Sequence, residues 1–255
     1  MTVNELSRYM NDRIPRELSC SWDNDGLMCC PDGSRAVKKA LFCMDVTPDA
    51  IDHAIEGEFD VIISHHPLIF RGVKSVAGDL GIPARIIKLI KNDISVMSYH
   101  TRFDAVDGGV NDALAELFEL QNVEKVICEG IELMRVGELP EELDLEHFAT
   151  VVCAKLGCEH LNYASNTGKV KRLAVVGGGG GSYIREAAAA GADTYLSGEL
   201  GYHNMTDCKD YRINLVEAGH YFTERVALYN LSRFVLGADP EIECEFFDTN
   251  TINHI

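Results

Sequence analysis

No stretch of this chain approaches the ~18 consecutive apolar residues that a membrane span needs, so a transmembrane protein is not expected. The N-terminal segment Met1 to Ile14 carries Glu5, Arg8, Asp12 and Arg13 among its apolar positions. It lacks an apolar core and a small-residue cleavage site, so no signal peptide is read and a cytoplasmic location is expected. No C-x-x-C pair occurs among the nine cysteines, which excludes a zinc ribbon. Their number is odd and they are scattered, which favours reduced thiols packed as small hydrophobes. There is also no Lys/Arg cluster. Against 40 acidic residues stand only 23 basic ones, a net charge of −17, so the basic face that nucleic acid requires is missing. Low-complexity tails and obvious internal repeats are absent too.

What is present is core-forming material: 46% of the residues are apolar, enough for one large α/β domain or two modest lobes. Thr2-x-x-Glu5 is a capping box ahead of VNELSRYMNDRI. KKALFCMDV reads as a strand ending at Asp45, and Thr47-Pro48 starts a helix that stops at Gly57. FDVIIS is continuously apolar, as a buried parallel strand is. IPARIIKLIKND, ISVMSYH and a helix from about Asn111 to Leu120 continue an alternation that implies a parallel sheet with crossover helices. A second βαβ unit follows in KRLAVV, YIREAAAA and ADTYLSGE, then the strand RINLVEAG and one long helix, YFTERVALYNLSRFVL. EIECEFFD reads as a closing edge strand, and Asp144 is placed to cap LEHFATVVCAKLG. The expected fold is α/β, with two interlinked lobes and mixed, largely parallel sheets. Lobe one covers about 1–122 plus 217–255 and lobe two about 123–216.

Metal-type ligands fall at three strand ends. His65 and His66 follow VIIS, Asp104 follows SVMSYH, and His220 and Glu224 follow INLVEAG. Ligands of open α/β sheets bind at the carboxyl ends of strands, because the loops there form a crevice. His220 and Glu224 are i, i+4 and share a helix face. Three imidazoles and two carboxylates suit two borderline divalent ions, zinc, manganese or iron, activating a shared water. Taken singly, each is ordinary: the histidine pair as exposed loop residues, Asp104 as a turn or cap residue, and His220-x-x-x-Glu224 as a helix start. Gly177 to Gly181 lie between a strand and a helix, where backbone N–H groups can hold an anion. The G-x-G-x-x-G order fails at Ser182, so a tight turn is the favoured reading and no dinucleotide is invoked.

Several motifs together resemble the NIF three-like dinuclear-metal proteins, often labelled GTP cyclohydrolase 1 type 2. They are SWDNDGL, MDVTPDAIDHAI, VIISHHPLIF, SYHTRFDAVDGGVNDALAE, RVGEL, AVVGGGGGSYIREAAAAGADTYLSGELGYH and EAGHYFTE. The resemblance runs over essentially the whole chain. It implies metal ligands at His65, His66, Asp104, His220 and Glu224, with Glu224 bridging two ions, and a toroidal homohexamer. It also implies a cyclohydrolase-style reaction, in which activated water attacks C8 of a purine nucleotide while His100 or His203 moves protons. His100 reads either as an orienting pocket residue or as a structural one. Ser197-Gly198-Glu199 stands where the family usually has T-G-D, which leaves the pocket role of Glu199 open. Two other functions fit the same ligands: hydrolysis of a phosphoester or amide, and a metal-carrying or scaffold protein without turnover.

Overall fold

A computed structural model describes residues 1–252; the last three residues of the expected first lobe, 253–255, lie outside them. The chain runs α1 (Val3–Arg13), β1 (Gly26–Cys29), β2 (Lys39–Cys43), α2 (Pro48–Glu56), β3 (Val61–Ser64), α3 (Gly81–Lys91), β4 (Ser95–Ser98), α4 (Thr101–Ala105) and α5 (Val110–Leu117). It continues with β5 (Gln121–Cys128), β6 (Ile131–Asp144), α6 (Leu145–Leu156), β7 (Asn162–Ala164), β8 (Lys169–Val176), α7 (Ile184–Ala189), β9 (Thr194–Ser197), α8 (Tyr202–Thr206) and α9 (Cys208–Tyr211). It ends with β10 (Asn214–Glu217), α10 (His220–Arg225), α11 (Leu228–Ala238) and β11 (Glu243–Phe246). Among the described residues no helix is long and apolar enough to cross a membrane. None of the nine cysteines is in a disulfide.

The fold is mixed α/β and divides into two units, Met1–Phe103 with Leu228–Ile255, and Asp104–Ala227. The first division falls inside α4, upstream of the 122/123 boundary read from the sequence, and the second after Ala227 rather than at 216/217. The physical reason is α5. Its Leu114, with Phe118 just beyond its end, packs against Leu173 and Val175 of β8, so this helix belongs to the second core although the β-α alternation presents it as a continuation of the first.

The first unit holds a five-stranded sheet in the order β1-β4-β3-β2-β11. β4, β3, β2 and β11 are parallel, and only β1 runs against its neighbour. The closing edge strand expected from EIECEFFD is therefore present beside β2. Leu41, Ile62 and Val96 from three strands pack with Ala50, Ile51, Ile86 and Leu89 from α2 and α3. Burial of this kind supplies about 25 cal/mol per Å² of apolar surface, which dominates over single polar contacts. The local start signals hold: Thr2 and Glu5 form the full capping box, and the Thr47 hydroxyl accepts from the Ala50 N–H with Pro48 at the first helical position.

The second unit holds six strands in the order β5-β6-β8-β9-β10-β7, with a parallel centre of β8, β9 and β10. β5 and β6 form a hairpin that the sequence does not announce. Its turn places Glu129 and Gly130 at φ 51° and 86°, both left-handed, as a tight hairpin turn requires. Two further expectations need correction. Asp144 occupies the position before α6 but makes no cap; its carboxylate pairs with Lys169 across the strands instead. The long helix expected from Tyr221 breaks into α10 and α11 around Val226–Ala227, where one unit hands over to the other.

Candidate metal-binding residues

Each unit places its polar residues by the same device, the carboxyl edge of three adjacent parallel strands. In the first unit β2, β3 and β4 end in register, so Asp45, the His65–His66 pair and His100 emerge on one edge. Because β1 is antiparallel to β4, with Gly26 opposite Ser98, the loop before β1 reaches that same edge and brings Trp22, Asp23 and Asp25 with it.

The three imidazoles come together there. Ring centroids are 5.1 Å apart for His65 and His66, 5.4 Å for His65 and His100, and 5.7 Å for His66 and His100. Each offers a nitrogen, and the three lie within 4.8 Å of one another. Their outer nitrogens are held by oxygens. His65 Nδ1 bonds to the Tyr99 carbonyl at 3.0 Å, His66 Nδ1 to Asp45 at 2.9 Å, and His100 Nδ1 to Asp23 at 2.9 Å. A carbonyl can only accept, so Nδ1 of His65 donates and its Nε2 keeps a lone pair. Ionised carboxylates impose the same tautomer on the other two rings. This is the arrangement in which a histidine presents Nε2 to a metal while a second group fixes the ring.

Asp23 and Asp25 form the scaffold beneath His100. Asp23 also accepts from the Thr101 N–H and hydroxyl, and Asp25 holds the Nε of the fully buried Arg102 at 3.0 Å. Burial opposes the charge of Asp23, yet hydrogen bonds from His100 and Thr101 hold its carboxyl down at about 2. Burial pushes Asp25 the other way, only partly offset by Arg102. A carboxyl whose pKa is depressed on folding stabilises the fold above its ordinary value near 3.8 and loses that contribution as pH falls through about 2. We therefore expect Asp23→Asn to cost about 2 kcal/mol at neutral pH and to flatten the acid loss of stability in that window, measured by urea unfolding across pH.

In the second unit β8, β9 and β10 end together, with Val176 opposite Ser197 and Ser197 opposite Glu217. The Gly177 turn, Glu199 and His220 follow directly. His220 Nε2 is 3.1 Å from Glu224 and its Nδ1 3.5 Å from Glu199, so the ring sits between two carboxylates. Glu199, left open by the sequence, thus touches His220. Asp104 opens this unit, buried, with its backbone carbonyl held by Asn111. One of its carboxylate oxygens lies within 4.8 Å of one from Glu224, which is also buried. Two buried carboxylates beside the His220 ring form a donor set that a divalent ion suits. The donors of both units fit such ions, imidazole being a borderline ligand and carboxylate a hard one. His203 lies exposed on α8 with its ring against Tyr202.

The glycine run serves packing. The Gly177 N–H donates to Asn111 and the Gly178 N–H to Thr223, so both are committed internally. A Cβ on Gly178 would stand 2.0 Å from Glu224 Oε1, and one on Gly180 2.2 Å from Ser197 Oγ. The bare backbone is what lets Glu224 and β9 approach.

Sequence reasoning missed Asp23 and Asp45. Both sit in motifs that carry the resemblance, SWDNDGL and MDVTPD, but their pairing with His100 and His66 depends on strand order. We expect Asp45→Asn to weaken divalent-ion binding by about 10- to 100-fold while the urea midpoint barely moves, as loss of an orienting partner does. Calorimetric titration with zinc or manganese reads it.

A mixed α/β protein with clustered imidazoles on one parallel core and paired carboxylates on the other belongs to the class whose side chains could hold a metal ion. The chain belongs to the Duf34/NIF3 (NGG1p interacting factor 3) family, whose model matches residues 1–253. It is 32% identical over 240 residues to a GTP cyclohydrolase 1 type 2 homolog of Clostridium perfringens, covering 92% of this chain and 91% of that one. A Staphylococcus aureus protein of known structure, SA1388, shares 28% identity and a TM-score of 0.90 over 100% of this chain and 99% of its own. HcgD of Methanocaldococcus jannaschii, solved in its reduced form, shares 29% identity and a TM-score of 0.83 over 96% of this chain and 97% of its own.

Proposed function

We propose that this protein is a metal-dependent hydrolase that opens a C–N bond of a purine nucleotide, with His65, His66, Asp104, His220 and Glu224 as ligands of two divalent ions. The observation that carries the reading is the anchoring of the rings: His65 and His66 each have Nδ1 held by an oxygen, which fixes the ring and makes the opposite nitrogen, Nε2, the ligand position. The buried Asp104–Glu224 pair supports it, because its negative charge favours cations. Zinc, manganese or iron suits this mixed set. Such ions, when bound, lower the pKa of water and polarise the group under attack.

The chain's own residues take the remaining roles. Asp45 and the Tyr99 carbonyl orient the ligand histidines, and Glu199 orients His220. His100, locked by Asp23, exchanges a proton at Nε2 with the substrate or its leaving group. His203 is the second candidate for that transfer. The substrate class and the cyclohydrolase-like reaction rest on the names of its relatives, GTP cyclohydrolase 1 type 2 homologs. A toroidal homohexamer belongs to the same reading, carried by the resemblance.

The test is metal analysis of protein purified without added metal, paired with incubation of that preparation with GTP and with phosphoester and amide substrates. Metal-dependent turnover of GTP is expected. Bound metal with product only from another substrate would redirect the chemistry and leave the ligands standing. Exchangeable metal with no turnover on any of them would mark a carrier.

A further inference from the structure

Two of the large exposed apolar side chains stand beside His100. Trp22 is 51% exposed and Phe70 44% exposed. Single exposed apolar residues need no explanation, but these two are joined to each other and to a histidine. Ring centroids are 6.0 Å apart for Trp22 and Phe70, 6.1 Å for Trp22 and His100, and 6.0 Å for Phe70 and His100. The planes meet at 74°, 70° and 90°, so the three rings form the walls of a corner.

The corner is built rather than incidental. Asn24 donates from its side-chain amide to the Ile69 carbonyl, tying the loop of Trp22 to the loop of Phe70. Asp23, between Trp22 and Asn24, fixes His100. Three elements distant in sequence thus hold three rings in one arrangement, all within the first unit.

We infer that Trp22 and Phe70 form a stacking platform for a planar heteroaromatic ring, with His100 meeting a heteroatom at the ring edge. A flat ligand laid on one wall of a perpendicular corner offers its edge to the others, the geometry that aromatic pairs prefer. An aliphatic ligand gains nothing from the imidazole, and a bare phosphate gains nothing from two apolar walls. The inference builds on the hydrolase reading and names the residues that seat the base of its nucleotide.

Trp22 is the sole tryptophan of the chain, so its fluorescence reports this corner alone. Guanosine titrated into the protein as purified should quench that emission saturably, and ribose 5-phosphate should not. In Phe70→Ala the quenching midpoint should rise on the order of tenfold or more, with the urea midpoint unchanged. Trp22→Leu, followed by calorimetry, should lose guanosine binding to a similar degree. Absent saturation, or an equal response to ribose 5-phosphate, overturns the platform. So does emission that follows protein concentration and ignores guanosine, which would identify the corner as a contact between copies of this chain. The titration requires neither metal nor turnover. A protein that binds guanosine but no divalent ion would therefore refute the hydrolase and keep the platform, and the reverse pattern would refute the platform alone.

Discussion

Glu224→Gln is expected to remove both divalent ions together, lowering affinity at each position by on the order of a hundredfold or more, beyond what loss of an orienting partner costs. The amide is isosteric, so packing around the buried side chain is retained and the change falls on charge and donor strength. In the second unit Glu224 touches His220 at 3.1 Å and approaches Asp104 within 4.8 Å, so it is common to an imidazole partner and a carboxylate partner. A residue shared in that way should couple two sites. Metal content by mass spectrometry should fall from two ions per chain toward none. Loss of one ion with retention of the other would mean that Glu224 serves a single position.

The largest structural effect is expected at Gly178. Its φ is +64°, a conformation costly for any residue with a Cβ, and the added carbon would stand 2.0 Å from Glu224 Oε1 and 3.2 Å from His220 Nε2. Left-handed strain and overpacking together give about 2–4 kcal/mol for Gly178→Ala. Because Glu224 must move to make room, metal affinity should fall even where the protein remains folded. The neighbouring Gly179 has no left-handed φ and nothing within 4 Å of a built Cβ, so Gly179→Ala should change stability by less than about 1 kcal/mol. Urea unfolding of the two variants side by side separates a packing requirement from a general intolerance of the loop.

Much of this arrangement was legible in the residues themselves. The capping box at Thr2 and Glu5, the Thr47-Pro48 start and the apolar strand VIIS are local signals, decided within a few positions, and each appears as expected. The histidine pair was legible because a strand end is a place, and parallel sheets gather their ends. What escaped depends on distance. Asp23 meets His100 across 77 positions and Asp45 meets His66 across 21, pairings fixed by which strands are neighbours. The β5–β6 hairpin escaped for another reason. β5 is exposed along most of its length, so no face alternates with a core and the period-two signal never arises. Asp144 shows competition: a lysine on the neighbouring strand takes the carboxylate that local rules assign to the helix start. The unit boundary was misplaced because α5 follows the β-α rhythm of the first core but carries its apolar face to the second.

The paired-ion account is tested most directly by anomalous diffraction from crystals of the protein loaded with zinc or manganese, recorded at the metal edge. The account predicts two peaks, each about 2.0–2.3 Å from a carboxylate oxygen of Glu224, with His65, His66, Asp104 and His220 supplying the other ligands. A single peak, or metal bound elsewhere with these five side chains unliganded, would contradict it.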